Sequence, residues 1–240
     1  MNIIIDQGNS TAKVALFDQD KLVRTSNIGV LTNSVLAKIF AEFQPQAGII
    51  SSVRNDEQEI IAFLKENIPA FYELTHQLPL PLTIDYQTPE TLGMDRIAAA
   101  VGASAQQPNE NLLVIDIGTA ITIDFVTADG IYKGGNISPG PETRFKSLHQ
   151  FTGRLPLVDE NGEVPVLGYD TATAIRAGIV NGIVHELDAY IDEFQKNHAV
   201  SVFLTGGYAF YFADKLKNGI FADENLVLTG LNEILNAQQK

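Results

Sequence analysis

Two short stretches of the chain place acids and glycines at matching positions. Asp6, Gly8 and Asn9 close the apolar run of IIIDQGNSTAK, and Asp116, Gly118 and Thr119 close that of LLVIDIGTAIT. A single Asp-x-Gly is common turn chemistry in any protein. Two of them, each ending an apolar run and each followed by hydroxyl or amide side chains, point to anion binding. Glycine lets the backbone approach a phosphate with no Cβ in the way, and consecutive turn amides form a concavity for it. Asn9, Ser10 and Thr119 add side-chain donors, and Lys13 brings a positive charge near the first turn. The two carboxylates would repel such an anion unless a cation lies between. Mg²⁺ on phosphates takes one or two protein carboxylates and several waters, which one Asp per turn supplies. The expectation is a nucleotide held in a cleft between two related lobes.

Other phosphate folds lack their signatures. There is no G-x-x-x-x-G-K-[ST] run, GGNISPG leads into Pro141 and Glu142, and no G-x-G-x-x-G supports a dinucleotide site. The 240 residues, 45% of them hydrophobic, suffice for a sizeable core. The absence of cysteine excludes disulfides and thiolate metal sites, and His76, His149, His185 and His198 show no metal-ligand spacing. A formal charge of -13 argues against nucleic acid or an anionic membrane as partner. No signal-peptide pattern or membrane-length apolar run is present, so a soluble, cytoplasmic protein is expected.

The elements that must position these residues follow from pattern. NIIID is too apolar for an exposed edge strand and is expected to be central, covered on both faces. AKVALF returns as its partner, LVRTSNI follows, and an amphipathic helix is expected over 34–43. Then come a strand at AGIISSV, a helix over NDEQEIIAFLKEN and a strand at AFYEL. Residues 83–88 read as irregular and 89–106 as one helix with an Ala-rich face. The hairpin recurs over 112–133. A long helix over Thr171–Gln195 carries Ile175, Ile179, Leu187, Ile191 and Phe194 on one stripe, with Gly178 and Gly182 expected to permit close helix packing. VSVFLTGG reads as a last strand. The fold class is α/β with two duplicated subdomains, an N-terminal lobe over 1–108 and a C-terminal lobe over 109–240.

Six segments in order resemble the type III pantothenate kinases, members of the actin-like (ribonuclease-H-like) ATPase superfamily that also holds sugar kinases. They are DQGNSTAK (6–13), YQTPETLGMDR (86–96), DIGTAIT (116–122), GGNISPG (134–140), GYDTATAIRAG (168–178) and LTGG (204–207). The resemblance implies ATP-dependent phosphorylation of pantothenate to 4'-phosphopantothenate, the first step towards coenzyme A, in a homodimer whose substrate pocket is completed at its interface. It assigns Asp95 as general base. Tyr86, Gly93, Met94, Asp95, Arg96 and Thr171 would bind pantothenate. Asp6, Gln7, Gly8, Asn9, Ser10, Thr11, Ala12, Lys13 and Thr119 would bind ATP, although Gln7, where the family more often has an apolar or small residue, is expected to face away from the phosphates. Asp116 would hold a monovalent cation, potassium or ammonium, and Asp6 would hold Mg²⁺, directly or through water.

Read without the resemblance, Asp95 and Arg96 are an ordinary polar pair on a helix's first turns, Tyr86 a core or rim aromatic, and Thr171 a helix N-cap. A nucleotide-binding regulatory protein of the same family without turnover is the alternative function. A sugar or acetate kinase on the same fold is a third, disfavoured by Y-x6-G-x-D-R.

Overall fold

A computed structural model of the chain describes residues 1–8, 11–52 and 58–239. Asn9 and Ser10 of the first phosphate motif lie outside the described residues, as do the end of the AGIISSV segment and the start of the NDEQEIIAFLKEN segment. The chain forms two compact units, one of Met1–Pro108, Gly130–Tyr132 and Asn225–Lys240, the other of Asn109–Asp129 and Lys133–Glu224.

The first unit is built on a five-stranded sheet of β1 (Asn2–Gln7), β2 (Ala12–Asp18), β3 (Lys21–Ile28), β4 (Ala47–Ser52) and β5 (Ala70–Glu73), in the order β3-β2-β1-β4-β5. β1 runs antiparallel to β2 and parallel to β4. The apolar NIIID strand is therefore central, as its composition requires. Its side chains alternate between two covers. Ile3 and Ile5 pack with Leu36 of α1 (Asn33–Phe43) and Leu64 of α2 (Gln58–Asn67). On the opposite face, Asn2 donates to Asn232 Oδ1 at 2.9 Å on α7 (Leu226–Ala237).

α7 is the element that the sequence pattern does not resolve. Its buried Leu226, Leu228, Leu231, Ile234 and Leu235 surround much of the helix and blur any single stripe. It belongs to the first unit, whereas the division at 108 puts it with the second lobe. The reason is its packing on α3 (Met94–Gln106), where backbone meets backbone. A Cβ on Gly230 would lie 1.7 Å from Ala98 O, and one on Gly102 would lie 2.3 Å from Leu226 O. The Ala-rich face of α3 is what α7 rests on. Two other elements differ from expectation. Residues 89–106 are broken, with a 3₁₀ turn over Pro89–Thr91 and α3 beginning only at Met94. Thr83 and Ile84, expected to be irregular, form the short β6, which pairs with Ile131 and Tyr132.

The second unit repeats the plan. β7 (Asn111–Ile117), β8 (Ala120–Val126), β9 (Ile131–Pro139, which starts in the first unit), β10 (Val200–Thr205) and β11 (Phe221–Ala222) lie in the order β11-β10-β7-β8-β9. Numbered from each unit's own first strand, both sheets read 3-2-1-4-5. Leu113, Ile115 and Ile117 of the central β7 pack against Ile179, Ile183, Leu187 and Ile191 of α5 (Thr171–Gln195). α4 (Pro141–Phe151) and the short α6 (Ala209–Ala213) complete the unit. No helix among the described residues is long and apolar enough to cross a membrane.

Gly230→Ala should destabilise the protein by roughly 1–3 kcal/mol or more, because no side-chain rotation relieves a clash with a carbonyl of the facing helix. Chemical denaturation measures this. Gly219→Ala, where a Cβ meets nothing within 4 Å, is the control and should stay within about 0.5 kcal/mol of the parent.

Candidate active site

β1 buries every residue from Asn2 to Ile5 and then presents Asp6 part-exposed at its end. β7 does the same with Leu112 to Ile115 and Asp116. Asp6 stands opposite Lys13 on β2. Gly8 closes the turn by donating its N–H to Thr11 O at 3.0 Å. Alternation puts Gln7 on the other face from Asp6. Gln7 is buried, and its Oε1 accepts no hydrogen bond from the described residues. Its side chain is thus turned away from the carboxylate, and only its backbone is available to a ligand on that side. Ala12 is fully buried beneath the hairpin, with Thr11 exposed.

Asp95 lies in the first turn of α3, exposed, and its Oδ1 accepts from Arg96 N at 2.9 Å. The residue before the helix is Gly93, where a Cβ would come within 2.4 Å of that same Oδ1. The missing side chain at Gly93 leaves the carboxylate its position, which accounts physically for the spacing G-x-D. Met94 is part-buried, and Arg96 is buried. Tyr86 packs edge-on against the buried Tyr132, with ring centroids 6.3 Å apart. Asp6, Tyr86 and the 93–96 segment all belong to the first unit.

The Asp6 carboxyl senses the charge of Asp95. Burial, then the Asp95 charge, push the Asp6 carboxyl up to about 6 from an ordinary 3.8, against a smaller opposing pull from Lys13. A carboxylate in this condition is a place prepared for positive charge.

In the second unit, Gly118 N–H donates to Ala120 O at 2.9 Å, forming the counterpart of the Gly8 turn. Thr119 is exposed at the tip, and its carbonyl accepts from Gly140 N at 2.9 Å and from Thr143 Oγ1 at 2.7 Å. Two distant motifs end against this turn. A Cβ on Gly140, the last residue of GGNISPG, would fall 2.0 Å from Gly118 O. Gly206 of LTGG has φ +91, and a Cβ there would lie 2.4 Å from Asp116 Oδ1. Both glycines exist because backbone must lie against the turn and its acid. The sequence shows these motifs without showing that they meet.

Thr171 opens α5 in the second unit. It is not the helix cap. Asp170 is, since its carboxylate accepts from Thr173 N at 2.7 Å while Thr173 Oγ1 accepts from Asp170 N at 3.1 Å. The hydrogen bonds of Thr173 to Asp170 hold that carboxyl below its usual range. Thr171 stands exposed along a cleft of about 620 Å³ between α4 and α5, together with Arg144 and Gly178. A Cβ on Gly178 or Gly182 meets nothing within 4 Å, so these glycines do not serve close packing inside the chain.

The Asp6 shift carries a stability consequence. The folded protein holds this proton more tightly than the unfolded chain between about pH 4 and 6, so stability falls as pH rises through that window. Asp6→Asn, which cannot ionise, should therefore be more stable than the parent at pH 7.5 by about 1–3 kcal/mol. At about pH 3, below both values, the two should unfold at the same denaturant concentration. Denaturant titrations without nucleotide or divalent cation, run across this range, measure the difference.

Comparison with known proteins identifies the family. Residues 2–193 match the family described as type III pantothenate kinase. A protein named type III pantothenate kinase from Azobacteroides pseudotrichonymphae is 53% identical over 240 residues, covering 100% of this chain and 98% of the relative. One of the same name from Phocaeicola vulgatus is 48% identical, covering 100% of each. Among solved structures, a protein from Campylobacter jejuni titled as a Baf family transcriptional activator shares 24% identity at TM-score 0.66, over 99% of this chain and 98% of that one. The ROK hexokinase of Thermus thermophilus, at 12% identity and TM-score 0.54, covers 99% of each. These structures establish the actin-like sugar-kinase fold. The family match and the full-length relatives establish that this chain belongs to the type III pantothenate kinases.

Proposed function

We infer that this chain transfers the terminal phosphoryl group of ATP to the primary hydroxyl of pantothenate, opening coenzyme A synthesis. Family membership supplies the reaction. The observation that carries the residue assignment is Asp95, an exposed carboxylate aimed by Arg96 N–H and Gly93 beside the strained charge of Asp6.

In this reading Asp95 orients the pantothenate hydroxyl and accepts its proton as the bond to phosphorus forms. Tyr86, Gly93, Met94 and Arg96 of the first unit are assigned to pantothenate, and Thr171 of the second unit carries the same assignment. Backbone and side chains over 6–13 hold phosphate oxygens, as does Thr119. Mg²⁺, when bound, would neutralise phosphate charge. Asp6 suits it, being a hard oxygen donor whose own charge is poorly accommodated. No cluster of three or more metal-binding side chains exists among the described residues, so such an ion would complete its shell with water and phosphate oxygens, as Mg²⁺ does. Asp116, at the matching strand end of the second unit, would hold a monovalent cation. We place the enzyme in the cytoplasm, where its two substrates meet.

Asp95→Asn keeps shape and removes the proton acceptor, so kcat should fall about 10²–10⁴-fold. ATP affinity measured by calorimetry should persist. Asp116→Asn should instead weaken ATP binding and abolish the rate difference between potassium and Tris buffers. An Asp95→Asn enzyme with wild-type turnover, or one that loses ATP as well, would remove the base assignment.

A homodimer is part of this reading. Its support is the bare α5 surface at Gly178 and Gly182, together with Phe151, Val166 and Leu167, which are 81%, 99% and 84% exposed in the same unit. Light scattering should return twice the 26.1 kDa chain mass, and Leu167→Asp should shift it towards the single chain with loss of activity.

A further inference from the structure

We propose that Arg144, Glu186 and Ser138, none of which belongs to the site assigned above, form a positioning clamp that sets the second phosphate turn for ATP. The proposal rests on the reading that the turn at Gly118 and Thr119 binds nucleotide.

The turn is seated on residues 138–144. Gly140 N and Thr143 Oγ1 both donate to Thr119 O, and the absent Cβ of Gly140 lets its backbone lie against Gly118 O. What fixes this seat is Arg144, one turn into α4. Its Nε donates to Pro139 O at 2.7 Å, and its Nη2 donates to Glu186 Oε2 at 2.5 Å and to Ser138 Oγ at 3.3 Å. Ser138 Oγ in turn donates to Glu186 Oε1 at 2.6 Å. One guanidinium thereby grips the two residues preceding Gly140, and the Glu186 carboxylate holds both the guanidinium and Ser138. That carboxylate is anchored in α5 between Ile183 and Leu187, which are fully buried. The Arg144 and Glu186 side chains are 22% and 23% exposed, so these charge-assisted bonds are partly shielded from water.

The clamp thus connects the turn to α5, whose Val180, Ile183, Leu187 and Ile191 are buried in the core of the unit. Phosphoryl transfer relies chiefly on positioning, and a turn displaced by an ångström loses much of its effect. Arginine is required by this geometry. A lysine ammonium can meet Glu186, but it has no planar fork with which to reach Pro139 O as well.

The test separates positioning from stability. Arg144→Met should raise the ATP dissociation constant and the KM for ATP about tenfold, as for a lost charge-assisted hydrogen bond. Arg144→Lys should recover only part of the loss. Arg144→Met alone orphans Glu186 and lowers Tm. Arg144→Met with Glu186→Leu removes both charges and should recover Tm to within a few degrees, while ATP binding stays about tenfold weak. If the double variant regains ATP affinity along with Tm, the clamp serves stability alone and the proposal fails. Thr119→Ala and Gly140→Ala report on the underlying reading. If they leave ATP affinity intact, the turn does not bind nucleotide and both ideas fall. If they weaken it and Arg144→Met does not, the clamp alone is refuted.

Discussion

Each unit depends on a central strand that must be covered on both faces. In β1, Ile3 and Ile5 need α1 and α2, while Asn2 on the opposite face needs α7. Such a strand has one place to show a polar side chain to solvent, the end where the covering helices stop. Asp6 and Asp116 occupy that place in their respective units. Their chemistry is inseparable from the burial behind them, since the same low solvation that makes β1 a good core strand keeps the Asp6 carboxyl near 6. A weaker core would give a better solvated, and less useful, acid.

The glycine motifs form a second layer of constraint on the same turns. Gly140 and Gly206 are separated by much of the second unit in sequence, yet one lies on the Gly118 carbonyl and the other on the Asp116 carboxylate. Gly93 plays a comparable part for Asp95. In each case, absence of a side chain lets an atom that matters stay in place. Selection for these glycines follows from excluded volume, with no ligand contact required of them.

Much of this was legible in the sequence. The repeated hairpins, the central placement of NIIID and the long apolar stripe of α5 all rest on local periodicity, which a sequence displays directly. The acids at Asp6 and Asp116 stood out through spacing, whereas Asp95 was marked only by the family resemblance. What escaped depends on distant partners. α7 has apolar residues around much of its circumference and is defined by its fit to Gly102 of α3. β6 is two residues long and exists only because Ile131 and Tyr132 offer an edge. The cap of α5 is Asp170 and not Thr171, a one-residue difference that only hydrogen-bond geometry decides. Arg144 carried no signal beyond its charge, because Glu186 is far away in sequence.

The return of α7 to the first unit has a bearing on how the protein is made. Asn2 and Asn232, bonded in the finished fold, stand 230 positions apart. A ribosome delivers them at opposite ends of the synthesis of this chain. One face of β1 and the Ala-rich side of α3 therefore emerge with nothing to cover them, and remain so while the whole second unit is translated. That unit's own core draws on residues of its own segment, so it can consolidate in the interval. The first lobe to be written is in this sense the last to be finished. Its open apolar sheet face is the surface that the growing polypeptide must keep from misassociation until α7 arrives.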